Sequence, residues 1–245
     1  MASGTAQNVY DDSTFFNEYG KLPRSQQGLA GAPEWSALRQ MTSTIFETIA
    51  FWISAAEQGA SYIRGVDVAD KMIAKAREMT IQPASAGRFA YEIQDLESIV
   101  LESAAYDLVF SSLALYYIED LDRLFRQIYA CLNPEGGRLV FSVEHPVMTA
   151  PVDPPAEWIK VESGGLQRTV WPLNSYSDEG VRLTDWLYHR MTDTYVTLLL
   201  QCRFELTGLR EGVSSMDDVA SHLEWERKRH RPNFLLVSAK VAPKA

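Results

Sequence analysis

The residues that could do chemistry in this chain stand where short apolar runs stop. Asp67 closes the run Tyr62–Val66, Asp95 follows Arg88–Ile93, Ser111 and Ser112 end the run from Tyr106, and Glu144-His145 follow Arg138–Val143. In open α/β sheets, ligands sit beyond the carboxyl ends of the strands, near the point where strand order reverses. A carboxylate that ends the second strand of a nucleotide-binding sheet can accept both ribose hydroxyls, which a neutral side chain would not do. Histidine titrates near neutrality and suits a general base. His145, with Glu144 beside it, and His189 are the candidates to take a proton from a hydroxyl or ammonium acceptor. Each position also has a plain structural alternative. Asp67 and Asp95 can cap turns or helix starts, His145 before Pro146 can orient a turn, and His189 can satisfy a local carbonyl. His222, inside an amphipathic run, reads as structural or solvated.

From Tyr62 onward the apolar rhythm alternates strand and helix. Helices are predicted over Ala69–Met79, Leu121–Leu132, Thr192–Cys202 and Ser215–Glu226, the last with Met216, Val219, Ala220 and Leu223 inward. Strands are predicted over Tyr62–Val66, Arg88–Ile93, Tyr106–Ser111, Arg138–Val143, Phe204–Leu209 and Phe234–Val241, with Asn133-Pro134-Glu135-Gly136-Gly137 as a helix stop. The alternation implies right-handed crossovers and a doubly wound, mostly parallel, Rossmann-like sheet. Residues 146–190 interrupt it with prolines, glycines and Trp158, Trp171 and Trp186, joined by Tyr176 and Tyr188. An insertion of that length is expected to be a lid or substrate wall, or else a self-packed aromatic minicore. Residues 1–41 carry Phe15, Phe16 and Tyr19 at helical spacing and are expected to supply cap helices to a single domain over 1–245.

The net charge of −9 argues against nucleic acid as a partner, and the one basic run, Arg227–Arg231, is short. The two cysteines, Cys131 and Cys202, lie far apart in apolar segments and give neither a disulfide framework nor metal-ligand spacing. No secretory leader and no apolar stretch long enough to span a membrane is seen, so a cytoplasmic protein acting on a small molecule, without metal, is expected.

The stretch from Arg64 to Val143 resembles the class I S-adenosylmethionine-dependent methyltransferase family. The matching pieces are Gly65-Val66-Asp67-Val68-Ala69-Asp70-Lys71-Met72, Gln94-Asp95-Leu96-Glu97, Tyr106-Asp107-Leu108-Val109-Phe110-Ser111 and Leu132-Asn133-Pro134-Glu135-Gly136-Gly137. The ending from Phe204 to Val241 is similar to that family's antiparallel final strand pair. Tyr10-Asp11, Phe15-Phe16, Tyr19, Arg24-Ser25 and Ala32-Pro33-Glu34-Trp35 look like a branch acting on small molecules. The resemblance implies S-adenosylmethionine as cofactor. It places the ribose on Asp67, the adenine amine on Asp95 with Leu96 on or beside the ring, and the methyl sulfonium near Ser111, with Tyr10, Tyr19 and Arg24 covering the site.

One family feature is missing. A glycine-rich turn, similar to D-x-G-x-G-x-G, should precede the helix leading into the Asp67 strand, because backbone must approach the methionine moiety closely there. No glycine occurs between Gly31 and Gly59. The segment is also about ten residues too short for a strand, a turn and a helix of ordinary length. Cofactor binding lost, a rebuilt loop, and an omitted coding segment remain open explanations. So do two other functions, a cyclase or isomerase on this fold and a pseudoenzyme that binds a partner protein.

Overall fold

The computed structural model describes residues 10–22, 25–26, 32, 34, 37–38, 41, 59–80, 89–153, 159–182, 187–213, 216–221, 223, 226 and 230–242. Strands β1 (Ile63–Asp67) and β2 (Phe89–Ile93) pair in parallel, with Asp67 opposite Ile93. Helix α2 (Asp70–Met79) connects them and buries Ile73. Arg64 ties the pair together through a two-pronged contact with Glu92, Nε to Oε1 at 3.0 Å and Nη2 to Oε2 at 2.8 Å.

The larger sheet runs β3 (Leu108–Ser112), β4 (Arg138–Glu144), β10 (Phe234–Val241), β9 (Phe204–Gly212). β3 and β4 are parallel, whereas β10 is antiparallel to both β4 and β9. This is an α/β fold of the expected Rossmann-like kind, with the antiparallel closing pair. Among the described residues no strand joins β1 to β3. The segment Gln40–Ala56, where sequence reasoning places the central strand and the lost glycine turn, lies almost wholly outside the described residues.

Helix α3 (Leu121–Cys131) forms as its spacing requires. The Asp120 side chain caps it by accepting the Arg123 N–H at 3.0 Å, and Leu121, Leu124, Phe125 and Ile128 are buried along one face. That face meets Leu139, Phe141 and Val143 of β4 and Leu235, Val237 and Ala239 of β10, with Tyr195 and Leu199 of α5 (Thr192–Gln201) in the same cluster. The opposite face of the sheet, at Val140 and Leu236, is covered by Ala32 and Leu38. Truncating one of these core leucines to alanine removes about 2–5 kcal/mol. The stop after α3 depends on glycine, since a Cβ at Gly137 would lie 2.7 Å from the Asn133 nitrogen. Both cysteines are buried and free, and burial pushes the Cys131 thiol up to about 11.

The insertion contains regular structure that its composition concealed. After a short helix, α4 (Pro146–Thr149), two hairpins follow, β5 (Ile159–Ser163) with β6 (Leu166–Val170), and β7 (Gly180–Arg182) with β8 (Leu187–His189). The first turns through Gly164 and Gly165 at φ +60° and +76°, the left-handed pair that a two-residue hairpin demands. Trp158 and Trp186 lie outside the described residues. Helix α6 (Met216–Ser221) buries Val219, but Met216 and Leu223, expected inward, are 63% and 79% exposed.

Candidate active site

The carboxyl ends of β1, β3 and β4 and the N-terminal segment carry one cluster. Asp67 ends β1 half-buried, and its Oδ1 accepts the Ala69 N–H at 2.8 Å. Loss of water raises its pKa above the ordinary carboxylate range, the local backbone N–H groups oppose this, and Asp11 adds to the rise. A partly desolvated carboxylate at a strand end is suited to accept neutral hydroxyl donors such as those of a ribose, which compensate it without needing a counter-charge.

Helix α1 (Ser13–Tyr19) follows a tight turn at Tyr10 and Asp11, and both residues interact electrostatically with Asp67. Asp11 reaches across to α2, accepting the Lys71 N–H at 3.1 Å through Oδ1 and the Asp70 N–H at 3.4 Å through Oδ2. The N-cap residue of α2, Ala69, has no side chain able to do this. Tyr10 packs edge-on against Phe15 and Tyr19, with ring centroids 5.1 and 5.0 Å away. Its phenol is pushed far above its usual pKa, first by burial and then by Tyr117, Tyr19 and Asp67, and it hydrogen-bonds Tyr117.

Tyr117 and Tyr116 lie in a 3₁₀ turn (Leu115–Tyr117) just past β3, with rings 4.4 Å apart and hydroxyls at 3.3 Å. Burial raises both phenols, and the nearby Glu144 carboxylate raises them further. Glu144, half-buried at the end of β4, also influences Tyr195, whose phenol burial pushes up to about 12. The structure thus brings together Tyr10, Tyr19, Asp67 and Glu144 from the sequence expectation and adds Asp11, Tyr116 and Tyr117. An aromatic pair directly after a strand end was the available sign for the last two.

Asp95 sits one strand over, in the turn after β2, where its Oδ1 accepts the Glu97 N–H at 2.9 Å. Leu96 packs against the main core, and its carbonyl is held by Arg123, which also bonds the Ile99 carbonyl at 3.2 Å. The Ser111 Oγ is buried with no partner among the described residues. Arg24 lies outside the described residues.

The two histidines stand apart from this cluster, each with both ring nitrogens engaged. His145 Nδ1 accepts the Val147 N–H at 3.2 Å, so Nε2 carries the proton and donates to Glu211 at 3.0 Å. His145 is thereby the N-cap of α4. His189 Nε2 donates to the Tyr176 carbonyl at 2.9 Å, and Nδ1 lies 2.7 Å from the Thr149 hydroxyl at the other end of α4. Burial lowers the pKa of both below the usual histidine value. They anchor the insertion, assisted by Trp171, whose Nε1 donates to the Val147 carbonyl at 2.9 Å under the Arg231 guanidinium. Among the described residues no group of side chains could hold a metal ion, and no helix is long and apolar enough to cross a membrane.

Comparisons with known proteins converge on one family. The methyltransferase-domain family matches residues 48–141. A crystal structure of an S-adenosylmethionine dependent methyltransferase from Mesorhizobium loti is 36% identical, covering 87% of this chain and all of that one, with a TM-score of 0.75. A structure from Listeria monocytogenes assigned to the same enzyme class is 31% identical, with 87% and 98% covered and a TM-score of 0.72. An uncharacterized protein of Haemophilus influenzae is 29% identical over 97% of this chain and 98% of its own length. That alignment runs over 255 positions, of which 97% of a 245-residue chain supplies about 238, so the relative carries about 17 residues that this chain lacks.

Proposed function

Because this chain belongs to the S-adenosylmethionine-dependent methyltransferase family, we propose that it transfers a methyl group from S-adenosylmethionine to a small molecule, as a cytoplasmic enzyme. The observation that carries this reading is the Asp67 carboxylate, partly desolvated at the end of β1 with Tyr10 and Tyr117 closing over the same edge. In this reading Asp67 holds the ribose, Asp95 and Leu96 border the adenine, and Ser111, whose buried Oγ has no partner among the described residues, lies on the wall behind the reacting centre. Tyr10 and Tyr19 cover the cofactor.

S-adenosylmethionine supplies an electrophilic methyl: the acceptor's lone pair bonds to that carbon while the carbon–sulfur bond breaks and its electron pair stays on sulfur. Positioning supplies much of the rate for such an in-line displacement. The chain's own part is to exclude water with Tyr10, Tyr116 and Tyr117, orient the acceptor, and receive its proton where it has one. Glu144, at the end of β4 near the tyrosine pair, is the group proposed to take that proton, while His145 and His189 hold α4 through their ring nitrogens. No observation among the described residues favours the cyclase or partner-binding alternatives.

The test is transfer of labelled methyl from S-adenosylmethionine to a panel of amines, phenols, thiols and carboxylates. Label appearing in one acceptor class, and lost in Asp67→Ala, supports the reading. Transfer unchanged in Asp67→Ala would overturn the site assignment, and no transfer to any class would overturn the activity.

A further inference from the structure

The hairpin of β5 and β6 is a two-stranded sheet of its own, and every described side chain of its strands is exposed. Alternation puts Ile159, Val161, Leu166 and Val170 on one face with Arg168. Those aliphatic side chains are 37% to 58% exposed. A two-stranded hairpin is marginal alone in water, whereas three or more strands sharing an apolar face are stable. Its base is fixed, because β6 runs directly into Trp171, whose indole is bonded to the Val147 carbonyl of α4. Among the described residues no third strand pairs with it, and no backbone hydrogen bond reaches β5 from outside the hairpin.

The outer edge of β5 has a definite pattern. A two-residue turn makes the flanking pair, Ser163 and Leu166, exchange both backbone hydrogen bonds, and such pairs alternate along the hairpin. Ile159 and Val161 therefore bond inward to β6. Lys160 and Glu162 turn their N–H and C=O groups outward, and their side chains share the face opposite the aliphatic one. An unpaired edge of this kind is a template for another strand, and a lone lysine would guard it. Here Glu162 supplies that lysine's match. When β5 meets a second β5 antiparallel about a two-fold axis at Val161, Lys160 of each copy faces Glu162 of the other. These are also the residues with outward backbone groups, so side-chain charge and backbone bonding select the same register. A shift of two residues opposes Lys160 to Lys160 or Glu162 to Glu162. The edge of β6, paired about its middle residue, opposes Arg168 to Arg168. Like charges directly opposite destabilise a strand pair. The hairpin carries Lys160, Arg168 and Glu162 in a chain of net charge −9, so it is a place where a second copy is not repelled.

We propose that the chain forms a two-fold symmetric dimer in which the β5 edges of two copies pair about Val161. The result is a four-stranded antiparallel sheet that joins the apolar faces of both hairpins and has the strand number that one hairpin lacks. This is independent of the methyltransferase reading. Pairing of five-residue strands is small for a protein interface, so the dimer exchanges with monomer, with a dissociation constant on the order of 10 µM.

Sedimentation velocity of the full chain from about 1 to about 500 µM tests this. The expected result is a monomer at the low end that converts to dimer at the high end. Lys160→Glu and Glu162→Lys should each weaken self-association at least about tenfold, since each opposes like charges across the axis. Mixed in equal amounts, the two variants should form a heterodimer, because every facing pair is again opposite in charge. Should either variant fail to fold, Val161→Asp replaces it and should abolish the dimer by setting two carboxylates against each other. A chain monomeric throughout the range, self-association undiminished in the variants, or no heterodimer on mixing would each overturn the proposal. So would a monomeric chain that instead floats with phosphatidylglycerol–phosphatidylcholine vesicles, because the apolar face would then belong to a lipid surface.

Discussion

The carboxylate of Asp11 accepts the backbone N–H of Lys71 at 3.1 Å, so a side chain sixty positions away in sequence caps the helix that follows the Asp67 strand. The N-terminal segment and the carboxyl end of β1 are therefore one unit. Asp11→Ala should cost about 1 kcal/mol of stability, the usual worth of a helix cap, and Asp11→Asn a fraction of that. Urea unfolding measures both. Because Tyr10 sits on the same turn, Asp11→Ala should also weaken S-adenosylhomocysteine binding, and an unchanged affinity would separate the cap from the site.

Asp67 should separate stability from function. Its pKa is raised in the folded state, so the fold holds this proton to higher pH than the unfolded chain, whose aspartate titrates near pH 3.9. Stability from this group is present below that pH and is lost as pH rises through the folded pKa. Above its folded pKa the ionised carboxylate is thus a net cost to the empty protein. Asp67→Asn removes the charge and keeps an acceptor for the Ala69 N–H. It should leave the empty protein at least as stable by urea unfolding, while weakening S-adenosylhomocysteine by roughly 10- to 100-fold through lost charge-assisted hydrogen bonds.

His145 and His189 should give the protein an acid limit. Burial lowers both pKa values in the folded state, so the unfolded chain binds protons first as pH falls. Their contribution is complete above about pH 6.5 and is lost as pH falls below it. Melting temperature measured from pH 8 to pH 5 should drop across the acid half of that range. His189→Gln should flatten the drop and lower stability at pH 8 by about 1–3 kcal/mol, because buried partners are left unsatisfied.

What was legible in the sequence is what local spacing determines. The buried stripe of α3, its stop at Asn133–Gly137 and the antiparallel closing pair all follow from periodicity and turn residues. The hairpin over Ile159–Val170 is equally local, with Gly164-Gly165 at its turn, but it is set among tryptophans and prolines whose composition marks an irregular segment. The Asp11 cap and the His145–Glu211 contact join residues about 60 or more apart, and no spacing rule announces such pairs. Met216 and Leu223 illustrate the opposite error: helical periodicity assigns a face, but whether anything packs against that face is a tertiary fact.

The missing glycine turn makes a quantitative claim of its own. Insertion of a strand followed by a glycine-rich turn near Thr42 should tighten S-adenosylhomocysteine by at least about tenfold, since backbone N–H groups at a helix start would then meet the ligand. A longer chain that binds no better would mean that the Asp67 side supplies the affinity by itself.

Calorimetric titration of the chain as it stands with S-adenosylhomocysteine tests the central claim most directly. Saturable binding at one site, with a dissociation constant on the order of micromolar and lost in Asp67→Ala, is the predicted result. Absence of saturable heat from both this chain and the glycine-restored one would contradict it.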